Sequence, residues 1–314
     1  MTYEFEFGLP PTATVRGVAL ERLDRARHRL SARPEGLDEA VHEARKDLKR
    51  FRALARLIRG PLPKAAYRRA NGMARDAGRE LSDVRDTVAL LETADALDHA
   101  FGPAIRDAVT APLRAALETE RAEVDDRDLQ RGIRASLARL NVLRDEEVPS
   151  WTVDEPLPRL FADGLFRTYR RARSAMTTAR EHPTTENLHA WRKRVKYHRY
   201  HLKLLRPAWH PVLQAQRKEV KDLSSRLGDD HDLAVLERRI DQGDLDGSLN
   251  RDLLTGLILE RRAQLQREAF DIGELAFAEK PKALSKRLRR YAKARAEQLR
   301  RAPVPSSVGD VARA

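Results

Sequence analysis

Apolar residues recur along most of this chain every three or four positions, the spacing that gathers them on one side of an α-helix. Ala, Leu, Arg and Glu fill the runs, and Gly and Pro cluster at their ends. The pattern predicts helices near 14–31, 37–59, 63–99 and 101–146, and again near 156–181, 185–206, 208–243, 247–275 and 278–302. Gly72 and Gly78 favour a kink in the third of these. Asp38 and Glu39 stand in a first turn, where the helix dipole favours acids, and Thr185 is a candidate N-cap. Tyr3–Phe7 alternates aromatic and acidic residues, which suggests a short strand, although nothing evident pairs with it. The final stretch, APVPSSVGDVARA, lacks the helical pattern and reads as a disordered tail.

Composition narrows the class. Hydrophobic residues make up 41%, enough for a core in a chain of 314, and a charged share of 35% requires most helices to be amphipathic. Aromatics at 5% argue against a β-sandwich or barrel and against a surface that stacks bases. The absence of Cys rules out disulfides, thiolate metal sites, iron–sulfur clusters and a Cys nucleophile. No apolar run reaches the roughly 18 residues of a membrane span, and the first residues carry acids and no apolar run, so no signal peptide is expected. A cytoplasmic protein with an anionic partner is the expectation.

The net charge of +13 is concentrated. Val41–Gly60 holds seven Lys/Arg against two acids, and Leu188–Pro207 holds seven against none, which places nearly all of the excess in two short segments. The segments also repeat one another. At an offset of 147, His42, Arg45, Lys46, Lys49, Arg52 and Arg56 meet His189, Arg192, Lys193, Lys196, Arg199 and Lys203. At an offset of 146, Arg25 and Arg27 meet Arg171 and Arg173, Arg75 meets Lys221, and the Asp86 region meets the Asp232 region. The fold class expected is all-α: an internal duplication with a boundary near 148–157 and about four helices per bundle. The divisions are an extended segment at 1–13, bundles at 14–150 and 151–302, and the tail at 303–314.

With His42 at zero and about 100° per residue, Arg45, Lys49, Arg52 and Arg56 fall between about 280° and 340°, with Lys46 near 40°. Val41, Leu48, Phe51, Leu54, Ala55 and Ile58 fall opposite, so one face packs and the other is cationic. His42 to Arg56 spans about 21 Å of helix, long for a small metabolite and suited to a linear polyanion. Like charges three or four residues apart repel, and a helix that needed only solubility would interleave Glu.

The pattern H-x-x-R-K-x-x-K-x-x-R at His42–Arg52, repeated at His189–Arg199, resembles the CHAD domain, the conserved histidine α-helical domain. Arg199-Tyr200, Arg85-Asp86 and His231-Asp232 resemble it too, and the likeness runs from about residue 8 to 302. The resemblance implies two bundles about a pseudo-twofold axis, basic helices lining a central channel, binding of inorganic polyphosphate and association with polyphosphate granules. The family is often fused to a triphosphate-tunnel (CYTH) domain; Glu4-Phe5-Glu6-Phe7 lacks the Lys of its E-x-E-x-K signature, so a stand-alone module is expected.

The polyphosphate-binding set is therefore the twelve stripe residues, widened by Arg25, Arg27, Arg75, Arg171, Arg173 and Lys221. Arg forks and Lys ammonium groups suit phosphate oxygens. His42 and His189 are expected to strengthen binding below about pH 6.5. His231-Asp232 looks like a pair of metal ligands, but its counterpart is Arg85-Asp86, so Asp86 and Asp232 are read as orienting a nearby cation. His198 and His201 fall on the inward side and read as core or inter-bundle residues. No Gly-rich phosphate loop, nucleophile elbow or paired carboxylate is present in the sequence. Neither a cofactor nor a metal is expected. Nucleic acid is the alternative partner, sharing the electrostatics but needing stacking or base-edge chemistry that the stripes lack. A phosphate-releasing enzyme is the third reading.

Overall fold

A computed structural model describes residues 3–34, 36–81, 83–122, 126–243 and 249–301, with backbone alone at 83–88, 104 and 126. The expectation for the 303–314 tail lies outside these residues, as do the side chains of Arg85 and Asp86.

All regular structure among the described residues is helical. The first six helices are α1 (Pro11–Ala32), α2 (Leu37–Leu57), α3 (Lys64–Arg79), α4 (Asp83–Phe101), α5 (Ala111–Ala122) and α6 (Asp126–Val142). Then come the single turn α7 (Leu157–Leu160), α8 (Ala162–Glu181), α9 (Thr185–Leu205), α10 (His210–Gln242), α11 (Arg251–Ala276) and α12 (Pro281–Arg301). Local chemistry sets several ends. Pro11 opens α1, where a missing N–H costs nothing. Gly243 closes α10 at φ 73°, its N–H turned back onto the Arg239 and Ile240 carbonyls.

Four local expectations need correction. The helix predicted over 63–99 is two helices. α3 runs through Gly72 and Gly78 and ends at Arg79, and the break includes Glu80 and Leu81. There the Leu81 carbonyl, which a continuous helix would bond internally, accepts Arg45 Nη1 at 2.6 Å instead. The 101–146 helix is also divided, with Gly102 at φ 78° ending α4. The N-cap of α9 is Thr184, whose side chain accepts the Asn187 N–H at 3.2 Å. Thr185 Oγ1 instead accepts from Arg262 at 3.1 Å. Tyr3–Phe7 forms no strand. Its alternation is real, since Tyr3, Phe5 and Phe7 are buried, but its partners are helices. Phe5 N–H donates to the Leu204 carbonyl at 2.9 Å, and the Tyr3 hydroxyl donates to the Arg50 carbonyl at 2.7 Å. The segment straps α2 to α9.

The main core draws on α1–α3, α6, α8–α10 and α12 without a break at residues 150–151. A second core joins Leu90, Ala94 and Leu97 of α4 and Leu113 and Leu117 of α5 to Leu233, Leu236 and Ile240 of α10 and Leu254, Ile258 and Leu265 of α11. Neighbours recur along the chain: α1 packs on α2 and α2 on α3, then α8 on α9 and α9 on α10. α4 packs on α5 as α10 does on α11. At the centre α2 meets α9, and the His201 ring lies there with Nε2 3.0 Å from the Ala53 carbonyl.

Candidate anion-binding site

Val41, Leu48, Phe51, Leu54, Ala55 and Ile58 are all buried, which turns the opposite face of α2 outward. Arg45, Lys49 and Arg52 line a groove of about 320 Å³ between α2 and α3, and Arg75 and Arg79 enter it from α3. Leu48, Ala74 and Gly78 complete the described lining, which contains five cations and no acid. Arg45 is held by the Leu81 carbonyl. Arg52 Nε donates to Asn71 Oδ1 at 3.3 Å, and burial, reinforced by Arg56 and Arg75, pushes it below the ordinary arginine value. Arg75 forks onto Asp76 at 2.8 and 3.3 Å. Lys49 is exposed.

Not every stripe residue reaches the groove. Lys46 bonds Glu43 on its own helix, and His42 is half-buried near the start of α2. Arg56, at the other end, lies 4.5 Å over the Tyr197 ring of α9 and donates to the Tyr67 hydroxyl at 3.4 Å.

On α9, Leu188, Trp191, Val195, Leu202 and Leu205 are buried, and the cations lie closer to neighbouring helices. Arg192 Nη2 is 3.7 Å from Asp232 of α10. Burial pushes Lys196 well below the ordinary lysine value, and Arg192, Lys49 and Arg199 push it further. Lys49 is on α2, so the two stripes act on each other. Arg199 lies 5.0 Å over the Tyr200 ring, and Lys193 is exposed. Burial, with Arg50, Arg217 and Arg22, lowers Lys203 to about 8.

The histidine expectation changes. His189 stacks on His231 with ring centres 4.2 Å apart. Burial and then Lys193, Arg192 and Lys196 push it to about 4, and burial and Arg192 push His231 to about 3. Neither ring titrates near 6.5 in the free protein. His198 and His201 are fully buried, the first against Tyr169 at 5.1 Å.

The outer candidates divide. Arg75 is in the groove. Arg25 stands 4.0 Å from Asp47, and Arg27 is 3.5 Å from Asp24. Arg173 donates to the Glu279 carbonyl at 3.1 Å, Lys221 is exposed on α10, and Arg171 lines a separate pocket with Arg56. Sequence reasoning passed over Arg79, four residues after Arg75 and hence on the same helical face, and Tyr197, which sits where the first segment has Arg50.

Among the described residues no helix is long and apolar enough to cross a membrane, and no three His, Cys, Asp or Glu side chains group as metal ligands. No curated protein sequence matches the chain. A family model described as the CHAD domain matches residues 15–241, a span that includes both stripes and the groove, and the chain belongs to the CHAD domain family.

Proposed function

We propose that this protein binds inorganic polyphosphate without catalysing its turnover, and that it does so along a track of cations that begins in the α2–α3 groove. The observation that carries this reading is the gathering of Arg45, Lys49, Arg52, Arg75 and Arg79 around one groove, with Lys196 of the other stripe near enough to feel Lys49. A flexible polyanion fits such a track because each phosphate meets a guanidinium or ammonium and the chain bends to follow it. Membership in a family associated with polyphosphate binding points the same way.

In this reading the two stripes belong to two copies of one helical unit about a pseudo-twofold axis, which brings them together in a central channel. The repeated neighbours support it, as does a matched pair of contacts: Arg56 meets Tyr197, and Lys203, the counterpart of Arg56, feels Arg50, the counterpart of Tyr197. Polyphosphate granules in the cytoplasm are the proposed location.

The test is competition on the full chain at fixed ionic strength. Labelled polyphosphate should resist displacement by single-stranded DNA, RNA or duplex DNA at equal phosphate concentration. Equal displacement would make nucleic acid the better reading. Release of orthophosphate from polyphosphate in the presence of Mg²⁺ or Mn²⁺ would overturn the non-catalytic part.

A further inference from the structure

Asp47 on α2 is fully buried among arginines of α1 and α2. Arg22 reaches it at 3.1 Å, Arg29 at 2.6 Å and Arg50 at 2.7 Å, with Arg25 at 4.0 Å. The first half of the chain thus supplies the anion for its own arginine cluster. At the matched position of α9 the residue is Arg194, and Glu21 of α1 is matched by Arg167 of α8. Two acids have become two cations.

The second half gathers these cations without replacing the acid. Gly164 of α8 rests on the end of α2 so closely that a Cβ there would lie 1.8 Å from the Leu57 carbonyl oxygen. This approach brings Arg167 and Arg171, on the next turns of α8, beside Arg56 and Arg59. Together with Arg194 they line one pocket, alongside the Tyr67 and Tyr197 rings and Thr168. Five guanidinium groups therefore meet with no acid in the described lining. Asp163, 3.9 Å from Arg167, is the nearby carboxylate, and it is 81% exposed. Burial, then Arg171 and Arg56, push Arg194 below the ordinary arginine value. Arg167 Nη2 and Arg56 Nε are buried with no hydrogen-bond partner among the described residues. Buried donors left unbonded cost free energy, so an acceptor supplied from outside would be bound rather than merely tolerated. The pocket is partly open and its inner space is about 20 Å³, which admits one oxygen of a tetrahedral anion, leaves the rest at the mouth and does not admit a polymer segment.

We propose that this pocket is a second anion site, separate from the groove, that holds a single phosphate-sized oxyanion in the role Asp47 plays in the first half. Planar guanidinium groups around a tetrahedral anion give forked, charge-assisted bonds. The ligand is a phosphate group, either as free orthophosphate or as the end group of a polyphosphate chain. The inference does not depend on the groove's own ligand.

The test uses the full chain with R194D, which builds the missing carboxylate into the cluster. Orthophosphate should raise the melting temperature of the wild-type protein saturably, beyond the effect of NaCl at equal ionic strength. R194D should melt higher than wild type without phosphate and bind orthophosphate at least roughly tenfold more weakly. R171Q, at an exposed position, should weaken binding without that gain in stability and serves if R194D does not fold. K49E/K196E should keep the orthophosphate response while losing polyphosphate, so failure of the groove reading is visible separately. If wild type shows no orthophosphate response but R194D lowers affinity for short polyphosphate, the chain end is the source. An orthophosphate response equal in wild type and both single variants, or one reproduced by NaCl, overturns the site.

Discussion

On α2 the stripe borders an open groove of about 320 Å³ with Lys49 exposed, whereas on α9 the matching Lys196 is drawn in beside Arg192, Arg199 and Asp232. The cations match in sequence, but their settings differ because the neighbouring helices differ. α10 runs unbroken for 33 residues and carries Asp232 to within 3.7 Å of Arg192. The equivalent stretch of the first half breaks after α3, and the freed Leu81 carbonyl holds Arg45 instead. The repeated pattern of charge therefore fixes which face is cationic, while the continuity of the next helix decides whether that face is open.

The largest expected effect comes from reversing the matched pair. K49E/K196E should weaken polyphosphate binding by about a hundredfold, since two charge-assisted contacts are lost and two repulsions gained. K280E/K282E, two exposed lysines near the start of α12, should cost less than about threefold. Titration of both variants in one buffer, with circular dichroism to check helicity, measures the difference. Equal losses would mean that only net charge is sensed and that the contrast between the two faces has no bearing on binding.

How much of this was legible in the sequence follows from which interactions set each feature. Periodicity gave the helices and the two faces of α2 and α9, because burial of one face is a local consequence of spacing. The identities of Arg45, Lys49 and Arg52 followed from the repeat. The break after Arg79 did not, because it depends on a carbonyl captured by Arg45 from another helix. The docking of Tyr3, Phe5 and Phe7 was hidden for a similar reason. Their alternation mimics a strand, and only the tertiary fold places the ends of α2 and α9 beside them. The low histidine pKa values were half-visible: neighbouring cations are in the sequence, but burial, the larger cause, is not. The inversion of Asp47 to Arg194 was present in the alignment of the two halves and acquired meaning only when Arg167 and Arg171 were found beside it.

A second contrast lies where α2 and α9 cross. The first half has Leu54, and the second half has His201 at the matched position, with His198 one turn before it. Burial, then the bond to Ala53 and the charge of Arg56, leave His201 at about 4, and burial leaves His198 at about 3. An unfolded histidine titrates near 6.5. Above that pH both states are neutral and nothing is lost. As pH falls below 6.5 the unfolded state takes up protons that the folded state refuses, and stability drops by about 1.4 kcal/mol per pH unit for each such histidine until the folded pKa is reached. Urea unfolding between pH 7 and 4.5 should show this slope. H201L, which installs the residue of the first half, should make it shallower by one histidine's share. An unchanged slope would mean that His201 is protonated in the folded state.

The smallest effect separates Arg56 from Lys203, matched positions on the two stripes. Burial of Lys203 and its cationic neighbours Arg50, Arg217 and Arg22 outweigh Glu4 and bring the amine to about 8. A bound polyanion favours the protonated amine and raises that pKa, so affinity should fall as pH rises through 8, by roughly threefold up to pH 9. K203R should therefore remove part of this decline and leave the affinity at pH 7 almost unchanged. Between pH 7.5 and 6.5 His189, at about 4, and His231, at about 3, should contribute little, because a bound polyanion would have to raise either to near 6.5 before it took up a proton there. Calorimetric titration at pH 6.5, 7.5, 8.25 and 9 decides the matter: a decline above pH 8 that K203R leaves intact would remove Lys203 from the track, and the α9 stripe would then end at Arg199.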